Sequence, residues 1–273
     1  MSAKQQYARP LDSMLQGFQS DGETEPLATY LADNSSLPGP RGNLELADAF
    51  ADAVGELADE DGDEAWTLVD RLSKSDRCEA PTGDPGEFVA FCAAVAAGAV
   101  GAREDAYRAD AMLLLRHAAR DRRWRLREAA AMGLQRLLAE DFDGVADSLS
   151  LWARSDDPLE LRAVVAAVAE PRLLRTEHAA RIALELHREV FGRMNVLERK
   201  SAEFKTLVQG LSYSLSVVVA ASPDEGFALM HDLLIRCEQD SDVRRIVAEN
   251  LKKTRLRKPF PDRVEAVQAL LIG

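Results

Sequence analysis

Four basic residues at near-regular intervals are the side chains of this sequence best placed to act on a partner. Arg127, Arg162, Lys205 and Arg244 are separated by 35, 43 and 39 residues. Each stands inside a similar stretch: DRRWRLREAAAMGLQRLL from Asp121, DDPLELRAVVAAV from Asp156, EFKTLVQGL from Glu203 and DSDVRRIVAENL from Asp240. Gln209 and Tyr213 follow Lys205 at spacings of four, on the same side of a helix. A denser cluster, Lys252, Lys253, Arg255, Arg257 and Lys258, lies in NLKKTRLRKP. Such cations either offset the negative end of the preceding helix or take a phosphate or an acidic partner tail.

The residue types that carry catalysis are scattered. His117, His178, His187 and His231 form no HxxxH or HExxH pair, and Cys78, Cys92 and Cys237 form no CxxC, so no metal site is expected. There is no GxSxG elbow, and Gly39-Pro40-Arg41-Gly42 lacks the spacing and the lysine of a phosphate loop. The acidic run DEDGDE at residues 59–64 has no glutamate closing a twelve-residue calcium frame. Asp156 and Asp157 stand directly before a helical pattern, where aspartates cap. The expectation is no catalytic residue and no cofactor.

The elements that must position these residues are helices. In the stretch from Asp121, Leu126, Ala130, Gly133, Leu134 and Leu137 recur along one face, with Asp121 as N-cap and Arg136 exposed on the other side. Ala129–Ala131 and Gly133 leave room for a neighbouring helix to come close. The chain reads as helices over 3–18, 26–32, 44–57, 64–73, 88–100, 104–120, 122–139, 142–154, 158–169, 177–193, 197–221, 223–237, 240–253 and 261–271. Residues 88–100 are apolar all round and so buried. The loop at 76–86, with Pro81, Gly83, Pro85 and Gly86, is the expected seam between residues 1–85 and 86–273. The long helix through Gly210 and its serines is expected to kink.

The repeated stretches resemble the second helices of HEAT repeats, whose helix-turn-helix units run about 40 to 47 residues. The resemblance is carried by residues 103–258 and extends less distinctly before them. It implies an all-α fold, a right-handed α-α superhelix of about five to six helical pairs, with residues 1–85 as an acidic capping segment and 86–273 as the array. In such arrays the repeated cation bonds carboxylates or carbonyls of the adjacent repeat as a structural ladder. Alternatively the second helices line a concave face, making Arg127, Arg162, Lys205, Gln209, Tyr213 and Arg244 a binding stripe. The function implied is a non-enzymatic, armadillo-like scaffold holding another protein in its groove. At a greater distance the chain resembles the HEAT-like DNA alkylpurine glycosylases, whose basic concave face holds DNA phosphates beside an aspartate and tryptophans. The helix that would supply the aspartate falls near 88–100, which has no carboxylate, and Ala166 stands where a tryptophan is wanted. That resemblance therefore implies nucleic-acid binding as the alternative, without the family's catalysis.

Composition agrees with helices: 47% of residues are hydrophobic but only 6% aromatic, which suits thin helix-on-helix packing better than sheets. Three dispersed cysteines suggest free thiols in a reducing cytoplasm. Neither a signal-peptide run nor a long enough uncharged stretch is apparent, so a cytoplasmic monomer away from membranes is expected. The net charge of −12 is uneven: residues 1–100 hold 6 Lys or Arg against 19 Asp or Glu, and residues 101–273 hold 28 against 27. An excess of this kind favours solubility and disfavours polyanions.

Overall fold

A computed structural model describes residues 5–272, leaving aside the side chains of 76, 78 and 272. The expected helix start at Ala3 and the Cys78 thiol fall outside the described residues. Among these residues the chain is all-helical, with no strand. It folds as two compact units, Met1–Asp141 and Phe142–Gly273.

The first unit contains α1 (Gln5–Asp21), α2 (Glu25–Asp33), α3 (Leu44–Glu60), α4 (Gly62–Ser73), α5 (Glu87–Arg103), α6 (Asp105–Ala119) and α7 (Trp124–Glu140). Its core is α5, in which fifteen consecutive residues from Glu87 to Gly101 are buried. A helix apolar on every side must be wrapped on every side, and α2, α3, α4, α6 and α7 all pack against this one. The Pro/Gly loop at 76–86 therefore lies inside the first unit, because helices from before and after it share α5 as their core. The closest crossing is α5 on α7. A Cβ on Gly98 would stand 2.5 Å from the Gly133 Cα, and one on Gly133 would stand 2.5 Å from a Leu115 methyl and 2.8 Å from the Ala94 carbonyl oxygen.

Arg136 is not the exposed residue its helical position suggests. It pairs with Asp48 and Asp52 of α3, tying α7 across α5 to the earlier helices. Asp121 accepts the Arg123 amide (2.7 Å) two residues too early to cap α7, whose N-cap is Arg123. Asp157 and Asp240 do cap α9 and α13, while Asp156 pairs with Arg193.

The second unit contains α8 (Phe142–Trp152), α9 (Pro158–Val168), α10 (Glu177–Arg193), α11 (Ala202–Ala221), α12 (Pro223–Arg236), α13 (Ser241–Leu251), α14 (Thr254–Arg257) and α15 (Pro261–Ile272). Its contacts alternate along the chain: α9 packs on α11 and α11 on α13, while α8 packs on α10 and α10 on α12. In length and composition α11 is apolar enough to cross a membrane. In this unit its buried residues, among them Phe204, Leu207, Leu211, Leu215 and Val218, form the core. It starts at Ala202, where the Ser201 side chain caps it, and not at 197.

Polar side chains fix the register inside this core. Asn250 of α13 donates to the Leu211 and Ile246 carbonyls, both at 2.8 Å, and accepts the Ser216 amide at 2.8 Å. His187 of α10 is fully buried, with Nδ1 2.8 Å from the Ala183 carbonyl and Nε2 2.9 Å from Ser214 Oγ. A carbonyl only accepts, so Nδ1 carries the proton and the serine hydroxyl donates to Nε2. Burial pushes the imidazole pKa down to about 4, against the pull of the Ala183 carbonyl. Between that value and the ordinary 6.5 the unfolded chain binds the extra proton, so stability present above pH 6.5 is lost as the pH falls. From pH 7.5 to pH 5 this group alone should cost about 2 kcal/mol. Urea midpoints for the wild type and His187→Gln at both pH values check it, and the wild type should lose more than the variant.

Candidate functional site

A wide concavity lies in the first unit, between α4 and α6. Asp61 caps α4 by accepting the Glu64 amide at 3.0 Å. The N-terminal ends of the two helices are clasped: Trp66 stacks on Tyr107 with ring centroids 5.4 Å apart, and the Tyr107 hydroxyl donates to Asp63 at 2.6 Å. That bond to a carboxylate pushes the Tyr107 pKa up. Over their C-terminal halves the helices leave a cleft of about 840 Å³.

Its floor is made of small and apolar residues, Ala90 and Ala94 of α5, Ala118 of α6 and Leu126 of α7, and its walls include Trp66, Leu113 and Leu114. Leu113 is 68% exposed. Asp70, Lys74, Glu79, Asp110, His117, Asp121 and Arg123 form the rim. The rim cations are already engaged. Lys74 Nζ lies 2.6 Å from Asp70, and Arg123 holds both Asp121 oxygens at 2.9 and 2.6 Å while donating to the Ala80 carbonyl. Burial acts to raise the Asp121 carboxyl, but the Arg123 bonds outweigh it and hold its pKa below the usual range. Glu79 and Asp110 add two more carboxylates, and the carbonyl ends of α4 and α6 add their negative dipole ends. The cleft is therefore apolar at the bottom and negative at the edge.

The residues singled out from sequence take up other places. Arg127 Nη1 donates to the Asp121 and Arg122 carbonyls at 2.8 and 2.9 Å, in the turn before its own helix. Arg244 donates to the Leu271 carbonyl at 2.9 Å, at the C-terminal end of α15. The Arg162 stem lies over Gly210, where an added Cβ would be 3.1 Å from Arg162 Cγ. Lys205, Gln209 and Tyr213 lie exposed along α11. No known protein-family model and no curated protein matches this chain.

Two of the sequence-derived groups do meet in the second unit. The Arg255 guanidinium lies 4.7 Å from the centre of the Tyr213 ring and donates to its hydroxyl at 3.0 Å, and Lys253 Nζ lies 5.8 Å from the same ring. Lys252 is paired with Glu249 at 2.5 Å, which holds that carboxyl's pKa down. Arg257 and Lys258 are exposed. A smaller groove of about 360 Å³ runs between α8 and α10, lined by Asp143, Asp147, Glu185 and Glu189, with His178 bonded to Asp143 at 2.8 Å.

Sequence reasoning did not find the α4–α6 cleft. One signal for it was present: Leu113, Leu114 and Leu115 are consecutive, and three successive helical positions span about 200°. They cannot all face one core, so a leucine had to be left outside.

Proposed function

We propose that this chain is a non-enzymatic helical-repeat protein of HEAT type that holds a segment of another protein in the α4–α6 cleft. The alternating packing of α8 to α13, and the succession of α3 on α5 and α5 on α7, support the repeat reading. One observation carries the function: an apolar-floored cleft of about 840 Å³ with a 68% exposed leucine on its wall. Large apolar side chains left in water beside a concavity mark places where a partner supplies the missing cover. On the rim, Asp70 and Asp121 are engaged by Lys74 and Arg123, and the Ser73 and Ser75 hydroxyls donate to the Asp70 and Leu72 carbonyls.

Nucleic acid is the second reading, favoured by the Tyr213 ring with Arg255 and Lys253 beside it. It has less support, because Lys252 is paired with Glu249, which offsets its charge.

The test is selection from a random-peptide library displayed on phage, with the full chain immobilised, followed by affinity measurement on the Leu113→Ser variant. Burying a leucine contributes about 1.5–3 kcal/mol, so peptides seated in the cleft should bind this variant at least about tenfold more weakly. They should be indifferent to Tyr213→Ala. A selection yielding only peptides that ignore Leu113→Ser would overturn the cleft as the protein-binding site.

A further inference from the structure

We infer that the segment the cleft accepts is a cationic amphipathic one, with apolar side chains on the alanine floor and lysines or arginines on the rim. This rests on the protein-binding reading above and goes further by fixing the chemistry of the partner.

Residues 1–141 hold 15 Lys or Arg against 26 Asp or Glu, giving −11, and residues 142–273 hold 19 against 20, giving −1. The unit that contains the cleft thus carries nearly all of the molecule's negative charge. Within the cleft the imbalance persists. The charges of Lys74 and Arg123 are each offset by a carboxylate, whereas Glu79 and Asp110 stand on the rim beyond those pairs. The C-terminal ends of α4 and α6 flank the same opening, and the negative ends of their dipoles favour positive charge. An anionic or nucleic-acid partner would be repelled on each of these counts.

Shape narrows the class further. Ala90 and Ala94 leave a shallow floor that receives medium-sized apolar side chains, and Leu113 flanks it from the wall. Lysine and arginine have long apolar stems that lie along such a wall while the charged head reaches the rim. A segment alternating apolar and cationic residues at helical spacing satisfies both halves of the site at once. A small inorganic cation would leave the apolar floor uncovered, and a neutral apolar segment would leave the rim carboxylates uncompensated.

The experiment uses the same phage-displayed library on the full chain, then fluorescence anisotropy with the selected peptides at about 50 and about 300 mM salt, a range over which the screening length falls well below 10 Å. Peptides that depend on Leu113 should be enriched in Lys and Arg and bind at least fivefold more weakly at the higher salt. The double variant Glu79→Gln/Asp110→Asn should weaken them about tenfold. Asp12→Asn/Glu56→Gln makes the same charge change at exposed positions of the same unit and should alter affinity less than twofold. Equal losses in the two double variants would reduce the effect to bulk charge and overturn the inference. Leu113-dependent peptides without basic enrichment would overturn it as well, while leaving the protein-binding reading intact. If no peptide depends on Leu113, both readings fall together.

Discussion

Gly98→Ala should lower the stability of the first unit by about 3 kcal/mol or more, at the upper end of what overpacking a core costs. The added methyl would stand 2.5 Å from the Cα and 2.6 Å from the carbonyl carbon of Gly133, and closer still to its oxygen. These are backbone atoms, so no rotamer change relieves the clash and α5 and α7 must move apart. Separating them also loosens Leu115 and Ala94, which meet Gly133 from either side. Gly192→Ala is the internal comparison. That glycine is exposed within α10 and nothing lies within 4 Å of an added Cβ, so the same substitution should stabilise by up to about 1 kcal/mol through helix propensity. Urea unfolding followed by circular dichroism reads both. Shifts of the same sign and size would mean that the α5–α7 crossing is looser than described.

Arg125→Met should have a comparable cost, about 3–5 kcal/mol, because it leaves a buried charge without its partner. Glu87 is fully buried and Arg125 nearly so, with Nη1 donating to Oε2 at 3.2 Å. The carboxylate's other bond on that oxygen comes from the Gly83 amide at 2.7 Å, and its Oε1 has no protein partner. Arg125 also donates to the Gly39 carbonyl at 3.0 Å, pinning the 35–43 loop to α7. Removing the arginine thus unmoors a loop as well as stranding a charge. Glu87→Gln/Arg125→Met removes the charge and keeps an acceptor for Gly83, so it should be more stable than Arg125→Met alone. A double variant as unstable as the single one would show that the loss comes from packing and the loop.

The helices were legible in the sequence because their signals are local. Pro158 and Pro223 sit in the first turns of α9 and α12, and α10 begins and ends at the residues its pattern indicates. The fully buried α5 was readable from an unbroken apolar run. The α14 turn was not, since four residues of TRLR have no periodicity to read. Tertiary facts were hidden for a different reason. That Arg136 reaches Asp48 and Asp52, more than eighty positions earlier, depends on how α3, α5 and α7 stack, and no spacing within α7 encodes it. The same holds for the cleft, whose lining comes from four helices and the connections between them. The meeting of Tyr213 with Arg255 lay between, since both residues stood out by type while their contact required α11 and α14 to pack.

The partner segment proposed above sits between α4 and α6. Hydrogen–deuterium exchange of the full chain, with and without a peptide selected for dependence on Leu113, tests it most directly. Protection should appear in the C-terminal halves of α4 and α6, around residues 68–74 and 113–118, and in the segment leading to Arg123, with residues 205–213 and 252–258 unchanged. Protection confined to 205–213 and 252–258, with α4 and α6 exchanging as in the free protein, would contradict it.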